Sequence, residues 1–127
     1  MTKKKILIIE DDKFLLKLYG DKLRRAGFEV AESVTGEEAL NKISVDMPDL
    51  IILDLILPKK SGFEILTEFK LNPKTKNIPV IILTNLGQES DIKRGLEMGA
   101  VDYLVKTDFS MNKLPQLIKE KLIKSKK

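Results

Sequence analysis

Short apolar runs alternate along this chain with stretches whose apolar residues recur every three or four positions. Ile6-Leu7-Ile8-Ile9, Leu50-Ile51-Ile52-Leu53 and Val80-Ile81-Ile82-Leu83 are apolar throughout. That is the mark of strands covered on both faces. They predict strands over 5–9, 50–54 and 80–84. Residues 28–33, Phe-Glu-Val-Ala-Glu-Ser, alternate apolar and polar, which suits an edge strand. Residues 101–105 predict a fifth strand.

The intervening stretches have helical period. Phe14, Leu15, Leu18 and Leu23 recur near that spacing, and Ala26-Gly27 stops the helix. Gly20 inside it costs up to about 1 kcal/mol. Thr35-Gly36-Glu37-Glu38 opens a second helix with acids in its first turn. Met47-Pro48 leads into the strand at 50–54, and Pro58 to Gly62 form a loop. Ser61 caps a third helix carrying Phe63, Ile65, Leu66 and Phe69. Asn72-Pro73-Lys74 is a turn, and Pro79 leads into the strand at 80–84. A fourth helix spans 88–98 and ends at Gly99. A fifth spans 110–124, with Leu114, Leu117, Ile118 and Leu122 on one face and Pro115 in its first turn. Five βα units in succession predict an α/β fold on a parallel sheet.

Composition narrows the chemistry. The 127 residues suit one domain, 1–127, with basic ends. There is no Cys, which excludes disulfides and thiolate metal sites, and no His, which removes the commonest general base. Reactions must run on carboxylates, hydroxyls and lysines. No apolar stretch is long enough to span a membrane, and the run behind the basic start is too short for a signal peptide, so a cytoplasmic location is expected. The net charge is +4, yet residues 6–118 hold 15 basic and 18 acidic residues. The excess lies at the two ends, which read as solvated, solubilising segments without the aromatic residues of a nucleic-acid module.

The polar residues at the strand ends carry the chemistry. Glu10 and Asp11 end the first strand, Asp54 the third and Thr84 the fourth, and Lys106 follows the fifth. In an open parallel sheet the carboxyl ends meet at one edge, where ligands bind. Three carboxylates, a hydroxyl and an ammonium there suit a hard divalent cation and a phosphoryl group. Each has a plainer reading too. Asp11 or Asp12 can cap the next helix, Asp54 can bond local backbone, Thr84 can be a strand-end hydroxyl, and Lys106 can snorkel from the sheet. Neither a P-loop nor a dinucleotide-binding glycine motif is present.

Five pieces in order resemble one family: Leu7-Ile-Ile-Glu-Asp-Asp12, Asp54-Leu-Ile-Leu-Pro58 with Gly62, Ile82-Leu-Thr84, Gly99-Ala-Val-Asp-Tyr103, and Lys106. From about residue 4 to 124 the chain resembles a response-regulator receiver domain of bacterial two-component signalling. The resemblance implies a flavodoxin-like (βα)5 doubly wound sheet of order 2-1-3-4-5. It implies Asp54 as phosphoacceptor from a sensor histidine kinase or phosphotransfer protein. Mg²⁺ would be held by Glu10 (directly or through a water), Asp11, Asp54 and the Ile56 carbonyl. Thr84 and Lys106 would bind phosphoryl oxygens, and Tyr103 would be the switch aromatic. The output surface would be the fourth helix, fifth strand and fifth helix, for a downstream protein target, an output domain or a homodimer. Such a domain is not a conventional enzyme, although it catalyses transfer to, and slow hydrolysis from, its own aspartate.

Two positions depart from the family pattern. Thr107 stands where many relatives have Pro, so Lys106-Thr107 is expected to be trans. Asn85 stands where the residue after Thr84 is usually small. Asn85, Ile56 and Leu86 are expected to restrict water and slow dephosphorylation. The rival reading is a receiver-like binding module that acts without phosphorylation, against which the intact acidic set argues. An aspartate-nucleophile phosphatase would need a second acid two residues after Asp54, where Ile56 stands.

Overall fold

The computed structural model describes residues 3–125. Among these, five strands, β1 (Lys5–Ile9), β2 (Glu29–Ser33), β3 (Leu50–Leu53), β4 (Val80–Thr84) and β5 (Asp102–Val105), pair in the order β2-β1-β3-β4-β5. Every pairing is parallel, with Ile9 beside both Ser33 and Leu53, and Thr84 beside Val105. The helices between them are α1 (Lys13–Arg25), α2 (Gly36–Val45), α3 (Gly62–Leu71), α4 (Glu89–Glu97) and α5 (Leu114–Ser125).

Period-2 alternation of the strands divides the core into two layers. Ile6, Ile8, Leu50, Ile52, Ile81, Leu83 and Leu104 face α1 and α5, meeting Leu16, Tyr19, Leu23, Leu114, Ile118 and Leu122. Leu7, Ile9, Ile51, Leu53, Val80 and Ile82 face the other way, onto Ala39 and Ile43 of α2 and Phe63, Leu66 and Phe69 of α3. β1, β3 and β4 are therefore covered on both faces, as their unbroken apolar runs require.

The helix boundaries follow local chemistry. Asp12 caps α1 by accepting the Phe14 and Leu15 N–H groups at 3.0 and 3.1 Å. Thr35 caps α2 and Ser61 caps α3 in the same way. Gly27 and Gly99, at φ 99° and 105°, follow the ends of α1 and α4. The fifth helix departs slightly from expectation: Met111–Lys113 is a 3₁₀ turn, and the α-helix begins at Leu114. Pro115 then sits in its first turn, where no N–H is missed.

The face of α1 differs from the apparent sequence period. Leu16, Tyr19, Gly20 and Leu23, at i, i+3, i+4 and i+7, point inward. Phe14 is 75% exposed and Leu18 44%. Packing of Leu16, Tyr19 and Leu23 against the sheet fixes the phase, and it leaves Phe14 and Leu18 on the outer side.

Gly62 is fixed by close approach. Its N–H donates to the Leu55 carbonyl at 2.9 Å. A Cβ there would fall 2.4 Å from the Asp54 carbonyl oxygen and 2.5 Å from the Leu55 Cα, both backbone. Gly62→Ala is expected to destabilise the fold by about 2 kcal/mol through overpacking. A urea midpoint unchanged from wild type would contradict this packing.

Candidate phosphoryl-transfer site

The site is built by the ladder running one residue past the strand ends. The Glu10 N–H donates to the Ser33 carbonyl at 3.0 Å, and the Asp54 N–H to the Ile9 carbonyl at 3.0 Å. The Lys106 N–H donates to the Thr84 carbonyl at 2.8 Å. These three backbones are therefore held at the carboxyl edge of the sheet by the same bonds that hold the strands.

Strand parity then aims the side chains. Glu10 follows Ile6 and Ile8 in phase, Asp54 follows Leu50 and Ile52, and Lys106 follows Leu104. All belong to the α1/α5 side of the sheet. The Lys106 ammonium consequently meets both acids: Nζ lies 2.5 Å from Glu10 Oε1 and 2.8 Å from Asp54 Oδ2. The remaining oxygens are also engaged. Asp54 Oδ1 accepts the Ile56 N–H at 3.0 Å, and Glu10 Oε2 accepts the Asp12 N–H at 3.1 Å. Glu10 and Asp54 are almost wholly buried. Without these partners such charges would not persist there.

Asp11 is exposed at the mouth. One carboxylate oxygen each from Glu10, Asp11 and Asp54 lies within 4.8 Å of the others, so the three can converge on one metal ion. All donors are hard oxygens, which fits a cation such as Mg²⁺ or Mn²⁺ and not a soft metal. Asp12 is committed to its capping bonds, as the plainer reading of that residue held.

The charge states follow from burial. Burial pushes the Glu10 carboxyl up to about 7, against hydrogen bonds from Lys106 and the Asp12 N–H that favour its charged form. For Lys106, burial would lower the pKa, but hydrogen bonds to Asp54 and Glu10 outweigh it and hold the ammonium above the ordinary lysine value. The cation in the pocket is thus permanent, while Glu10 sits near its titration point until a metal ion joins it.

Thr84 and Tyr103 lie on the other side of the sheet, in phase with Val80 and Ile82. Neither side chain bonds to the acids. Both converge on Leu86: its N–H donates to Thr84 Oγ1 at 3.4 Å, and its carbonyl accepts the Tyr103 hydroxyl at 2.6 Å. Burial pushes the Tyr103 phenol up to about 12, so it is a fixed donor at neutral pH. The segment after β4 is therefore tied to Thr84 at one end and to β5 by Tyr103.

Asn85 is exposed, Ile56 is 49% exposed and Leu86 is half-buried. No peptide bond among the described residues is cis, so Lys106-Thr107 is trans, as expected. One residue escaped the sequence reading. Tyr19 of α1 is buried over the pocket, where burial pushes its phenol up and the charges of Lys106, Glu10, Asp54 and Asp12 reach it. Its signal was available in the inward period of α1.

Comparison with known proteins agrees with this geometry. Residues 6–119 match the family model for the response regulator receiver domain. The chain is 40% identical over 122 residues to the phosphate regulon transcriptional regulatory protein PhoB of Rhizobium meliloti, covering 96% of this chain and 53% of that protein. It is 40% identical over 103 residues to the alkaline phosphatase synthesis transcriptional regulatory protein PhoP of Bacillus subtilis, covering 81% and 42%. The chain spans about half the length of these curated relatives. Among solved structures, a CheY-like response regulator receiver domain protein from Methanospirillum hungatei superposes with TM-score 0.88 at 31% identity, covering 98% of each chain. The Mn²⁺-bound form of response regulator Rcp1 does so with TM-score 0.81 at 34% identity, covering 92% of each. With its sheet order, its edge of acids and its lysine, the chain belongs to the response regulator receiver domain family of two-component signalling.

Proposed function

We propose that Asp54 accepts a phosphoryl group from a histidine kinase or phosphotransfer protein and that the domain changes its partner surface in response. The observation that carries this reading is the state of the Asp54 carboxylate. It is buried, oriented by the Ile56 N–H and Lys106, and grouped with two further acids around room for one cation.

The chemistry is a displacement at phosphorus. An Asp54 oxygen forms the new P–O bond as the donor's P–N bond breaks, and the imidazole nitrogen leaves with the electron pair. No general base is needed, because a carboxylate nucleophile has no proton to lose in the attack. Glu10, Asp11 and Asp54, with the Ile56 carbonyl, would hold Mg²⁺, which when bound supplies positive charge against the phosphoryl oxygens. Lys106 then exchanges its bond to Asp54 for one to a phosphoryl oxygen. Its backbone stays fixed by the ladder bond to the Thr84 carbonyl, so the lysine leaves the sheet from a set position. Hydrolysis of the acyl phosphate later restores the carboxylate. This is self-modification within a signalling domain, not turnover of a released substrate.

The response runs through the segment after β4. A phosphoryl oxygen offers the Thr84 hydroxyl a stronger partner than the 3.4 Å bond from the Leu86 N–H. Movement of Thr84 across the sheet edge would be felt at Leu86, which Tyr103 also holds. That couples the site to α4, β5 and α5, the surface for a target, an output domain or a second copy. Contacts with protein, in the cytoplasm, suit this role; among the described residues no helix is long and apolar enough to cross a membrane.

Incubation with Mg²⁺ and acetyl phosphate should add one phosphoryl group by intact mass, and Asp54→Asn or chelation should abolish the addition. Addition to the Asp54→Asn protein at the wild-type rate would show that Asp54 is not the acceptor. Asn85 is expected to hinder the attacking water. Its replacement by Ala should shorten the phosphoryl lifetime about threefold, equivalent to ~0.7 kcal/mol of barrier. An unchanged or longer lifetime in Asn85→Ala would remove Asn85 from the account.

A further inference from the structure

Very little apolar surface seats α4. Gly95 is its one buried residue, whereas α3 buries Gly62, Phe63, Ile65, Leu66 and Phe69. Its amino end also lacks a side-chain cap: Gln88 makes no capping bond, unlike Asp12, Thr35 and Ser61. A helix with so few buried contacts opens and shifts more readily than its neighbours. What holds it is concentrated in two consecutive residues, Arg94 and Gly95.

Gly95 lets the helix lie directly on the sheet. A Cβ there would fall 2.7 Å from Ile82 Cδ1 and 2.9 Å from Tyr103 Cδ2. Arg94 reaches to α3 instead. Its guanidinium carbon stands 4.0 Å from the centroid of the Phe63 ring, a cation–π contact. Arg94 is exposed and Phe63 only 7% exposed, so the contact joins a surface cation to a core aromatic. Phe63 in turn follows Gly62, whose N–H is bonded to the Leu55 carbonyl and whose Cα leaves no room for a Cβ beside the Asp54 carbonyl. Through Arg94, α4 is therefore attached to the turn that leads out of Asp54. This attachment is separate from the one through Thr84, Leu86 and Tyr103.

We propose that Arg94 and Phe63 form a latch that holds α4 against α3 in the unphosphorylated domain and opposes its shift when Asp54 is phosphorylated. This rests on the reading of Asp54 as acceptor. Attraction of Thr84 to a phosphoryl oxygen draws on the segment that leads straight into α4. Gly95 presents no side chain, so the helix can slide over Ile82 and Tyr103. The latch resists that slide: a shift of about 2 Å carries the guanidinium to ~6 Å from the ring, the limit of the attraction. The arrangement with Thr84 drawn to the site is the one that binds phosphoryl oxygens, so uptake speeds in proportion to its population. Arg94 touches no reacting atom. It is a positioning residue that sets where α4 lies.

Two measurements test this. Hydrogen exchange of the α4 amides without a donor reads the latch itself. The rate of phosphoryl uptake from acetyl phosphate at saturating Mg²⁺ reads its opposition to switching. Arg94→Met keeps the stem and removes the cation, Arg94→Lys keeps a cation, and Phe63→Leu removes the ring. Lys93→Gln, the exposed neighbour, controls for the charge of the helix. Arg94→Met should exchange about threefold faster in α4, and take up phosphoryl about threefold faster, than wild type. Phe63→Leu should do the same, and the double variant should go no further than either single one. Arg94→Lys should lie closer to wild type than Arg94→Met, and Lys93→Gln should match wild type. Should Phe63→Leu fail to fold, the exposed Arg94 variants decide. Unchanged α4 exchange in Arg94→Met would overturn the latch. Faster exchange with unchanged or slower uptake would overturn its role in switching. If wild-type protein takes up no phosphoryl group at all, the acceptor reading falls and the role in switching with it, while α4 exchange still decides the latch.

Discussion

An ammonium group shared between two buried carboxylates is the constraint on which the rest of this molecule depends. Lys106 lies within hydrogen-bond distance of both Glu10 and Asp54. Two like charges at that depth would repel each other and pay heavily for lost hydration. The lysine makes their burial tolerable and, in doing so, joins the first, third and fifth strands at one point. The arrangement is balanced but not saturated. Asp11 remains at the mouth, burial holds Glu10 near its titration point, and the three acids can still accept a divalent cation.

The fold delivers this arrangement by simple rules. Parallel pairing places all the strand ends at one edge, and the ladder continues one residue further to hold Glu10, Asp54 and Lys106. Side-chain parity then separates two groups of polar residues. The acids and Lys106 share the α1/α5 side, while Thr84 and Tyr103 lie on the other. The carboxylates and their ammonium thus lie on one side of the sheet edge, and the Thr84 and Tyr103 side chains on the other. Leu86 is bonded to both Thr84 and Tyr103.

Much of this was legible in the sequence. The unbroken apolar runs of β1, β3 and β4 announced strands covered on both sides, and the alternation in β2 announced an edge. The polar residues at the strand ends named the site. The phase of α1 was harder to read. Phe14 and Leu18 look as apolar as Leu16, and only packing against the sheet decides which stripe faces inward. Tyr19 was missed for the same reason. The separation of Thr84 from Asp54 was available in principle, because their strand parities differ, but only once the register of β3 against β4 is known. The positive φ of Lys59, 66°, had no signal at all. A lysine after Pro58 gives no hint of positive φ, and closure by Gly62 against the Asp54 and Leu55 backbone is a tertiary effect.

The most direct test of the account is the thermal and urea stability of Lys106→Met with and without Mg²⁺. Methionine keeps the stem and removes the charge. In chelator, the variant should lose about 3 kcal/mol, because Glu10 and Asp54 are left facing each other in a buried site. Millimolar Mg²⁺ should restore much of that loss and stabilise the variant more than it stabilises wild type. A variant as stable as wild type in chelator, or one indifferent to Mg²⁺, would contradict the claim that this ammonium holds the acidic site together.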